Sequence, residues 1–288
     1  MNKREIFVTA DLNKQQVADL IKLESTSNDL YDIDLKFHEA DFESISFHIC
    51  SYKDNKLIGY FALTENYIKD EFLLWGTVHP DFENLDHINE MLKVGLASDS
   101  MKDTKTIKIL NNSSARSMKT LYCDRGATHQ HTVYDMRYKG LVDINTENID
   151  IREATIEDLD TVCKIGVEAF STSEEDEVAY NTGNINNDRI HTYIASTNGC
   201  TIGIVSVMIT DESSSIADLA VVKEHRKKGY GRSILSLTIS ELLKKNIKNI
   251  RLGVETSNVN ALNIYKAAGF ETHHSTEWLL LELKRKSL

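Results

Sequence analysis

The sequence predicts an α/β (α+β) protein of two similar domains, each with a mixed sheet and covering helices. Three observations carry that reading. Strand-like apolar runs alternate with helical ones along the 288 residues. Landmarks of the first half return in the second at a nearly constant spacing, as two copies of one domain would make them. A basic turn with two glycines joins an apolar strand to a helix, a place suited to an anion.

The repeat fixes the organisation. Lys56-Leu57-Ile58-Gly59-Tyr60 is matched by Cys200-Thr201-Ile202-Gly203-Ile204, with the glycines 144 positions apart. Trp75 to Val78 falls opposite Leu219 to Val222 at the same spacing, and Tyr122 opposite Tyr265 at 143. The polar stretch from Asp143 to Asp150 is the expected seam, giving domains 1–142 and 149–288. In the first half, helices are expected at Lys14 to Ser27, Leu85 to Asp99 and Ser113 to Cys123. In the second, a short strand at Ile151 to Arg152 precedes a helix from Thr155 to Phe170, whose first turn is acidic. The polar segment Ser171 to Arg189 reads as helix or arm. Strands follow at 190–196, 202–210 and 215–222, the first pair joined by Asn198-Gly199. A helix from Gly229 to Lys245, a strand from Asn249 to Val254 and a helix from Asn258 to Ala267 come next. Gly269 suits a helix C-terminus, and a last strand covers Glu277 to Leu283.

Composition narrows the function. Apolar residues make up 41% and charged residues 27%, as in a soluble globular protein. The formal charge of -11 argues against nucleic acid and anionic membranes as partners. No run of about 18 apolar residues is present, and the start of the chain lacks the apolar run of a signal peptide. Cys50, Cys123, Cys163 and Cys200 are scattered and read as reduced thiols of a cytoplasmic protein. No His or Cys cluster has metal-ligand spacing, so no metal is expected.

Against this acidic background, His225-Arg226-Lys227-Lys228-Gly229-Tyr230-Gly231-Arg232-Ser233 concentrates positive charge and glycine. The run Ile216 to Val222 reads as the strand before it, and Leu235, Ile239 and Leu242 as the helix after it. Glycines let the backbone approach an anion, and the helix start offers unpaired N–H groups. At a spacing of 144 the first half has Phe82 for Arg226, Leu85 for Gly229 and His87 for Gly231. Its corresponding stretch, Pro80-Asp81-Phe82-Glu83, is acidic and would repel phosphate. One competent half is expected. A nucleotide hydrolase is disfavoured, because the G-x-x-x-x-G-K-[ST] spacing is absent.

Two motifs carry a family resemblance. Arg226-x-x-Gly229-x-Gly231 matches R/Q-x-x-G-x-G/A, and Asn258-x-x-Ala261-x-x-x-Tyr265-x-x-x-Gly269-Phe270 matches N-x-x-A-x-x-x-Y-x-x-x-G-F. With both, the second half resembles the GNAT superfamily of N-acetyltransferases. The first half resembles a degenerate copy, keeping Tyr122 and Gly126 but with Ala115 and Met118 in place of the motif's asparagine and alanine. The resemblance implies two domains of mixed, mostly antiparallel sheet, splayed at strands four and five. It implies acetyl-CoA as donor and a small-molecule or peptide amine as acceptor, in a monomer or homodimer. Val221 and Val222 would pair with the pantetheine amides as an added strand does. The N–H groups of residues 227 to 233 (Lys227, Lys228, Gly229, Tyr230, Gly231, Arg232 and Ser233) would hold the pyrophosphate, with charge from Arg226, Lys228 and Arg232.

Acyl transfer to an amine needs a neutral amine, a polarised carbonyl and a proton for the departing thiolate. Tyr265 is the expected acid, its phenol donating to the thiolate; the alternative is a purely structural tyrosine, as Tyr122 suggests. Some family members use a fifth-strand glutamate as base, but Gly253 stands at the best-matching position. Glu255, two residues on and on the same strand face, is the substitute candidate, with Asp218 and His273 behind it. Asn258 reads as a helix cap facing the cofactor, and Asn260 as a contact to the pantetheine arm or an exposed residue. The acidic run Ser173 to Glu177 lies where relatives line the acceptor site. The competing function is an acyl-CoA-binding regulatory module without turnover. The acceptor itself is open: a protein N-terminus, a polyamine, an amino sugar or a small antibiotic.

Overall fold

A computed structural model describes residues 4–31, 45–65, 70–140, 149–210 and 213–283. In chain order its elements are β1 (Glu5–Thr9), α1 (Lys14–Tyr31), β2 (Phe47–Lys53), β3 (Lys56–Glu65), β4 (Glu71–Val78), α2 (Leu85–Leu96), β5 (Thr106–Asn112), α3 (Arg116–Asp124) and β6 (Thr128–Tyr138). There follow β7 (Asp150–Glu153), α4 (Leu159–Phe170), α5 (Glu174–Ile185), β8 (Ile190–Thr197), β9 (Cys200–Thr210), β10 (Ser213–Val221), α6 (Tyr230–Lys244), β11 (Asn249–Glu255), α7 (Val259–Ala267) and β12 (Phe270–Glu282). The polar segment after Phe170 is thus a helix, α5, capped by Ser173, whose hydroxyl accepts from the Asp176 N–H. The expected seam falls mostly outside the described residues.

The chain divides into two compact units: Met1–Val133 with His274–Leu288, and Tyr134–His273. We call them unit 1 and unit 2. They do not follow the linear division into 1–142 and 149–288, because the final strand of each half is shared out. The far part of β12 pairs with β5 in unit 1, from Thr276↔Asn112 to Glu282↔Thr106. The end of β6 lies beside β11 in the sheet order of unit 2. The cores agree. Leu279 and Leu281 are buried with Phe61, Leu74, Ile88 and Ile107, whereas Met136 is buried with Val207, Ile216, Leu235 and Leu252. Strand pairing is non-local, so the spacing of a repeat does not reveal which unit a terminal strand completes.

Within each unit the sheet is mixed and mostly antiparallel, as expected. In unit 2, β7, β8, β9 and β10 pair antiparallel in sequence order, and β10 pairs with β11 in parallel. Unit 1 repeats this with β1 to β5. Two-residue turns close the equivalent hairpins: Asp54 and Asn55 at φ 51° and 62°, Asn198 and Gly199 at 49° and 78°, the positive values that a tight right-twisted hairpin requires. The α4 helix enters through a capping box formed by Thr155 and Asp158.

Both units open between their parallel strands. The β10–β11 ladder ends at Ile216↔Leu252, although β10 continues to Val221 and β11 to Glu255. In unit 1 the ladder ends at Leu74↔Ile109, with β4 continuing to Val78 and β5 to Asn112.

Candidate active site

The gap of unit 2 begins at a bulge. Ala217 pairs with Ser206 and Ala220 with Ile204, so Asp218 and Leu219 together oppose a single residue of β9. Asp218 takes the left-handed conformation, φ 50°. Its Oδ2 accepts from the Tyr180 hydroxyl at 3.1 Å, and the Ser206 hydroxyl supplies a second hydrogen bond. Burial raises the Asp218 carboxyl above the ordinary carboxylate range, while the two hydroxyls pull the other way and Glu177 adds a smaller upward push. Tyr265 on α7 stands in the same electrostatic neighbourhood. Its phenol is raised, first by burial and then by the negative charge of Asp218. Its ring meets Phe270 edge-on at 6.2 Å. Tyr265 is half-buried, whereas Tyr122 of unit 1 is 2% exposed and belongs to a core. The two tyrosines share a sequence position and differ in access.

After β10 comes a short 3-10 turn, Lys223–His225, then Arg226, Lys227, Lys228 and Gly229 before α6. Lys227 and Gly229 both have positive φ, 61° and 87°, and a Cβ on Gly229 would meet nothing within 4 Å. Gly229 is therefore required by conformation, with open space beside it. As the N-cap it brings no side chain to the helix start. The N–H groups of Arg232 and Ser233 donate to the Gly229 carbonyl at 3.0 and 3.2 Å. Those of Tyr230 and Gly231, at the first turn, lack the intrahelical acceptor that a helix start never has. Lys227, Lys228 and Arg232 are exposed around them. Free helix-start N–H groups and three exposed cations thus stand together at this turn, the chemistry an anion needs.

Arg226 is placed differently from its neighbours. Its Nε donates to the Val221 carbonyl at 2.8 Å, and its terminal nitrogen pairs with Glu168 of α4 at 2.9 Å. Glu168 also accepts the Lys223 N–H at 2.9 Å. The guanidinium thus braces the end of β10 against α4. Val222 donates its N–H to Ile202 at 2.9 Å, across β9. Gly231 faces Val221 and Ile264; a Cβ there would come within 3.5 and 3.6 Å of them.

The other candidates make local contacts of their own. Glu255 ends β11 on an exposed face, as Gly253 does, and accepts from the Ser257 hydroxyl at 3.2 Å. Asn258 caps α7 by accepting from the Ala261 N–H at 3.1 Å, and Asn260 is exposed. Sequence reasoning did not find Tyr180 or Glu168. Tyr180 and its partner Asp218 are 38 residues apart, and no local pattern joins them. Among the described residues no group of three or more His, Cys, Asp or Glu is arranged to hold a metal.

Unit 1 shows what the same architecture looks like without the cradle. Four residues separate the 3-10 turn from α6, but only Glu83 and Asn84 separate the turn Pro80–Phe82 from α2. The matches of Arg226 to Phe82, Gly229 to Leu85 and Gly231 to His87 are therefore displaced by a shortened loop. Glu83 stands in the place of Arg226 and Asn84 in that of Gly229. The Asn84 side chain accepts from the His87 N–H at 3.0 Å and satisfies the helix start itself. His87 is fully buried, bonded to Ser51 at 2.7 Å and to the Phe82 carbonyl at 3.0 Å.

Residues 154–270 match the model of the Acetyltransferase (GNAT) family. This segment belongs to the GNAT family. The chain is also similar to "[Ribosomal protein bS18]-alanine N-acetyltransferase" of Escherichia coli (strain K12), 28% identical over 102 residues, which are 35% of this chain and 66% of the relative. The chain thus spans just under two thirds of that relative's length. The GNAT fold extends across the chain. A GCN5-related N-acetyltransferase from Sphaerobacter thermophilus superposes with a TM-score of 0.76 at 15% identity, over 96% of this chain and 95% of that one. A tandem GNAT protein from the clavulanic acid biosynthesis pathway superposes with a TM-score of 0.72 at 13% identity, over 99% of this chain and 100% of that one.

Proposed function

We propose that the protein is an N-acetyltransferase whose unit 2 takes acetyl-CoA as donor and a primary amine as acceptor, with unit 1 keeping the fold without a donor site. The observation that carries this is the joining of a phosphate-fitted turn to a strand gap that holds Asp218 and Tyr265. The donor would supply a thioester, its pyrophosphate on the amides around Lys227 to Gly231 and its arm along the free edge of β10 near Val221. Lys228 and Arg232 add charge, and Arg226 holds the loop in place.

The residues then divide the proton work. The Asp218 carboxylate, made more basic by burial, takes the proton that the attacking ammonium must lose. The amine nitrogen forms a bond to the acetyl carbon and the carbon–sulfur bond breaks. The Tyr265 hydroxyl donates its proton to the departing thiolate, the second proton shed by the nitrogen passes to the Tyr265 phenolate, and Asp218 releases its proton to solvent. Glu174, Glu175 and Asp176 open α5, the helix that carries Tyr180, and an acidic approach favours a cationic amine. Peptide N-termini fit that description, and the similarity to an alanine N-acetyltransferase supports trying them first.

The test is thiol release from acetyl-CoA with a panel of peptides bearing free N-termini, polyamines and amino sugars. Turnover with a cationic amine, lost in Asp218→Asn while acetyl-CoA still binds, is the expected result. Binding without thiol release from any acceptor would replace the enzyme with a sensor.

A further inference from the structure

The loop of unit 1 that replaces the cationic turn is held at both ends by a buried histidine. His79, 6% exposed, precedes the turn Pro80–Phe82 and caps it: its Nδ1 accepts from the Asp81 N–H at 3.3 Å. On the other side of the ring, Nε2 meets the Lys56 ammonium of β3 at 2.8 Å. His87, fully buried on α2, holds the end of the turn, its Nδ1–H donating to the Phe82 carbonyl at 3.0 Å. That donation leaves Nε2 to accept from the buried Ser51 hydroxyl at 2.7 Å. Gly59 makes room for the ring, since a Cβ there would lie 3.3 Å from His87 Cε1.

Both rings serve as neutral imidazoles. An imidazolium has no lone pair, so protonation of His79 ends its hold on the Asp81 N–H and sets a cation against Lys56. The charges facing it are Lys56 on β3, with Asp81 and Glu83 on the turn. The exposed Asp81 carboxylate stands 3.8 Å from Nδ1, and Lys53 lies over the neighbouring Phe82 ring at 5.0 Å. Protonation of His87 puts a charge in a fully buried place and takes the acceptor away from Ser51. Arg4 and Glu90 are the charges around it, and they pair with each other at 3.5 Å. Burial depresses both imidazoles. Lys56 adds to that at His79, against Asp81 and Glu83. At His87 the Phe82 carbonyl and Glu90 pull the other way, and Arg4 adds to the depression.

We infer that residues 79–87 are a proton-operated latch: two neutral imidazoles hold the loop of unit 1 shut, and protons release it together with the start of α2. Release frees Glu83, which otherwise accepts from the hydroxyls of Tyr31 and Ser117 and ties α1 to the start of α3. The equivalent turn of unit 2 ends at His225, which is only partly buried. Among the described residues the buried histidines are His48, His79 and His87, all in unit 1. The sign follows from burial. The open loop binds protons more tightly than the closed one, so the latch is at full strength above about pH 6.5 and weakens as pH falls below it. Nothing in it depends on turnover in unit 2.

Hydrogen–deuterium exchange on the full chain, at about pH 7 and about pH 5 and corrected for intrinsic amide rates, reads the opening of residues 79–91 against that of α6. Each histidine that takes a proton only in the open form raises the opening constant by up to roughly tenfold per pH unit below about 6.5. Protection of the loop segment should therefore fall by roughly 100-fold or more, with little change in α6. The double variant His79→Gln with His87→Gln keeps a hydrogen-bonding amide at each place and has no proton to gain, so most of that fall should disappear. His48 is retained in it, so acid sensitivity that belongs to unit 1 as a whole persists there. Ring nitrogen NMR on the unmodified chain needs no substitution: both imidazoles should be neutral at about pH 6, with the His87 proton on Nδ1. Equal loop protection at the two pH values overturns the latch, and so does an equal fall in α6 or a fall undiminished in the double variant. A ring charged at about pH 6 while the loop stays protected overturns it as well.

Discussion

The Tyr180 hydroxyl hydrogen-bonds Asp218 at 3.1 Å, joining an acidic helix to the bulged residue of the strand gap. A carboxylate raised by burial but steadied by a hydroxyl is a base whose strength depends on that hydroxyl. Removing the hydroxyl raises the carboxyl further. Because activity needs the deprotonated form, the acid limb of kcat/KM in Tyr180→Phe should move to higher pH. An unmoved limb would show that Asp218 does not take the proton. Asp218→Asn should lose roughly 100-fold or more in kcat, the usual weight of a general base.

Tyr265→Phe should lower kcat by roughly 100-fold and leave acetyl-CoA affinity nearly unchanged, since the hydroxyl is needed only when the thiolate departs. Equal damage from Tyr122→Phe in the buried position of unit 1 would mean that both tyrosines serve the fold. Stopped-flow thiol release and a binding titration separate the two effects.

The brace between Arg226 and Glu168 predicts a split between stability and affinity. The pair is well exposed, so Glu168→Gln should cost less than about 1 kcal/mol in unfolding. The same change loosens the hydrogen bonds to Arg226 and Lys223 that hold the turn. A loss of roughly 1.5 kcal/mol there would weaken acetyl-CoA about tenfold. Calorimetric binding alongside denaturant unfolding checks both halves.

Gly166 lets α4 and α5 pack closely. A Cβ at that position would lie 2.1 Å from Oε2 of the buried Glu177, which is itself held by Thr172 at 2.6 Å and Asn181 at 2.9 Å. Gly166→Ala should therefore destabilise by about 1–3 kcal/mol. Since α5 carries Tyr180, the KM for the amine should rise while acetyl-CoA affinity holds. Unfolding curves and steady-state kinetics with varied acceptor give the answer.

How much of this was legible in the sequence depended on range. Gly229 was readable because a strand-to-helix turn needs a residue tolerant of positive φ, and Asn258 because a cap acts within its own helix. The hairpin at Asn198-Gly199 is equally local. The bulge at Asp218 was not readable, since it exists only in register with β9. Tyr180 lay in a polar stretch without periodicity, and its partner is on another element. The exchange of final strands between the two halves is longer in range still. The shortening of the unit 1 loop was hidden because a constant spacing was carried across a two-residue deletion. His87, fully buried on α2, has no room for a charge, whereas Asp81, exposed on the turn, can be changed without disturbing the core.

The most direct measurement is thermal unfolding against acetyl-CoA concentration, in the unmodified protein, in Gly229→Glu and in Asp81→Asn. At about 100 times its dissociation constant the donor should stabilise by roughly 2.7 kcal/mol. The account predicts a saturable shift that Gly229→Glu abolishes and Asp81→Asn preserves. No shift in the unmodified protein, or equal loss in both variants, would contradict a single donor site in unit 2.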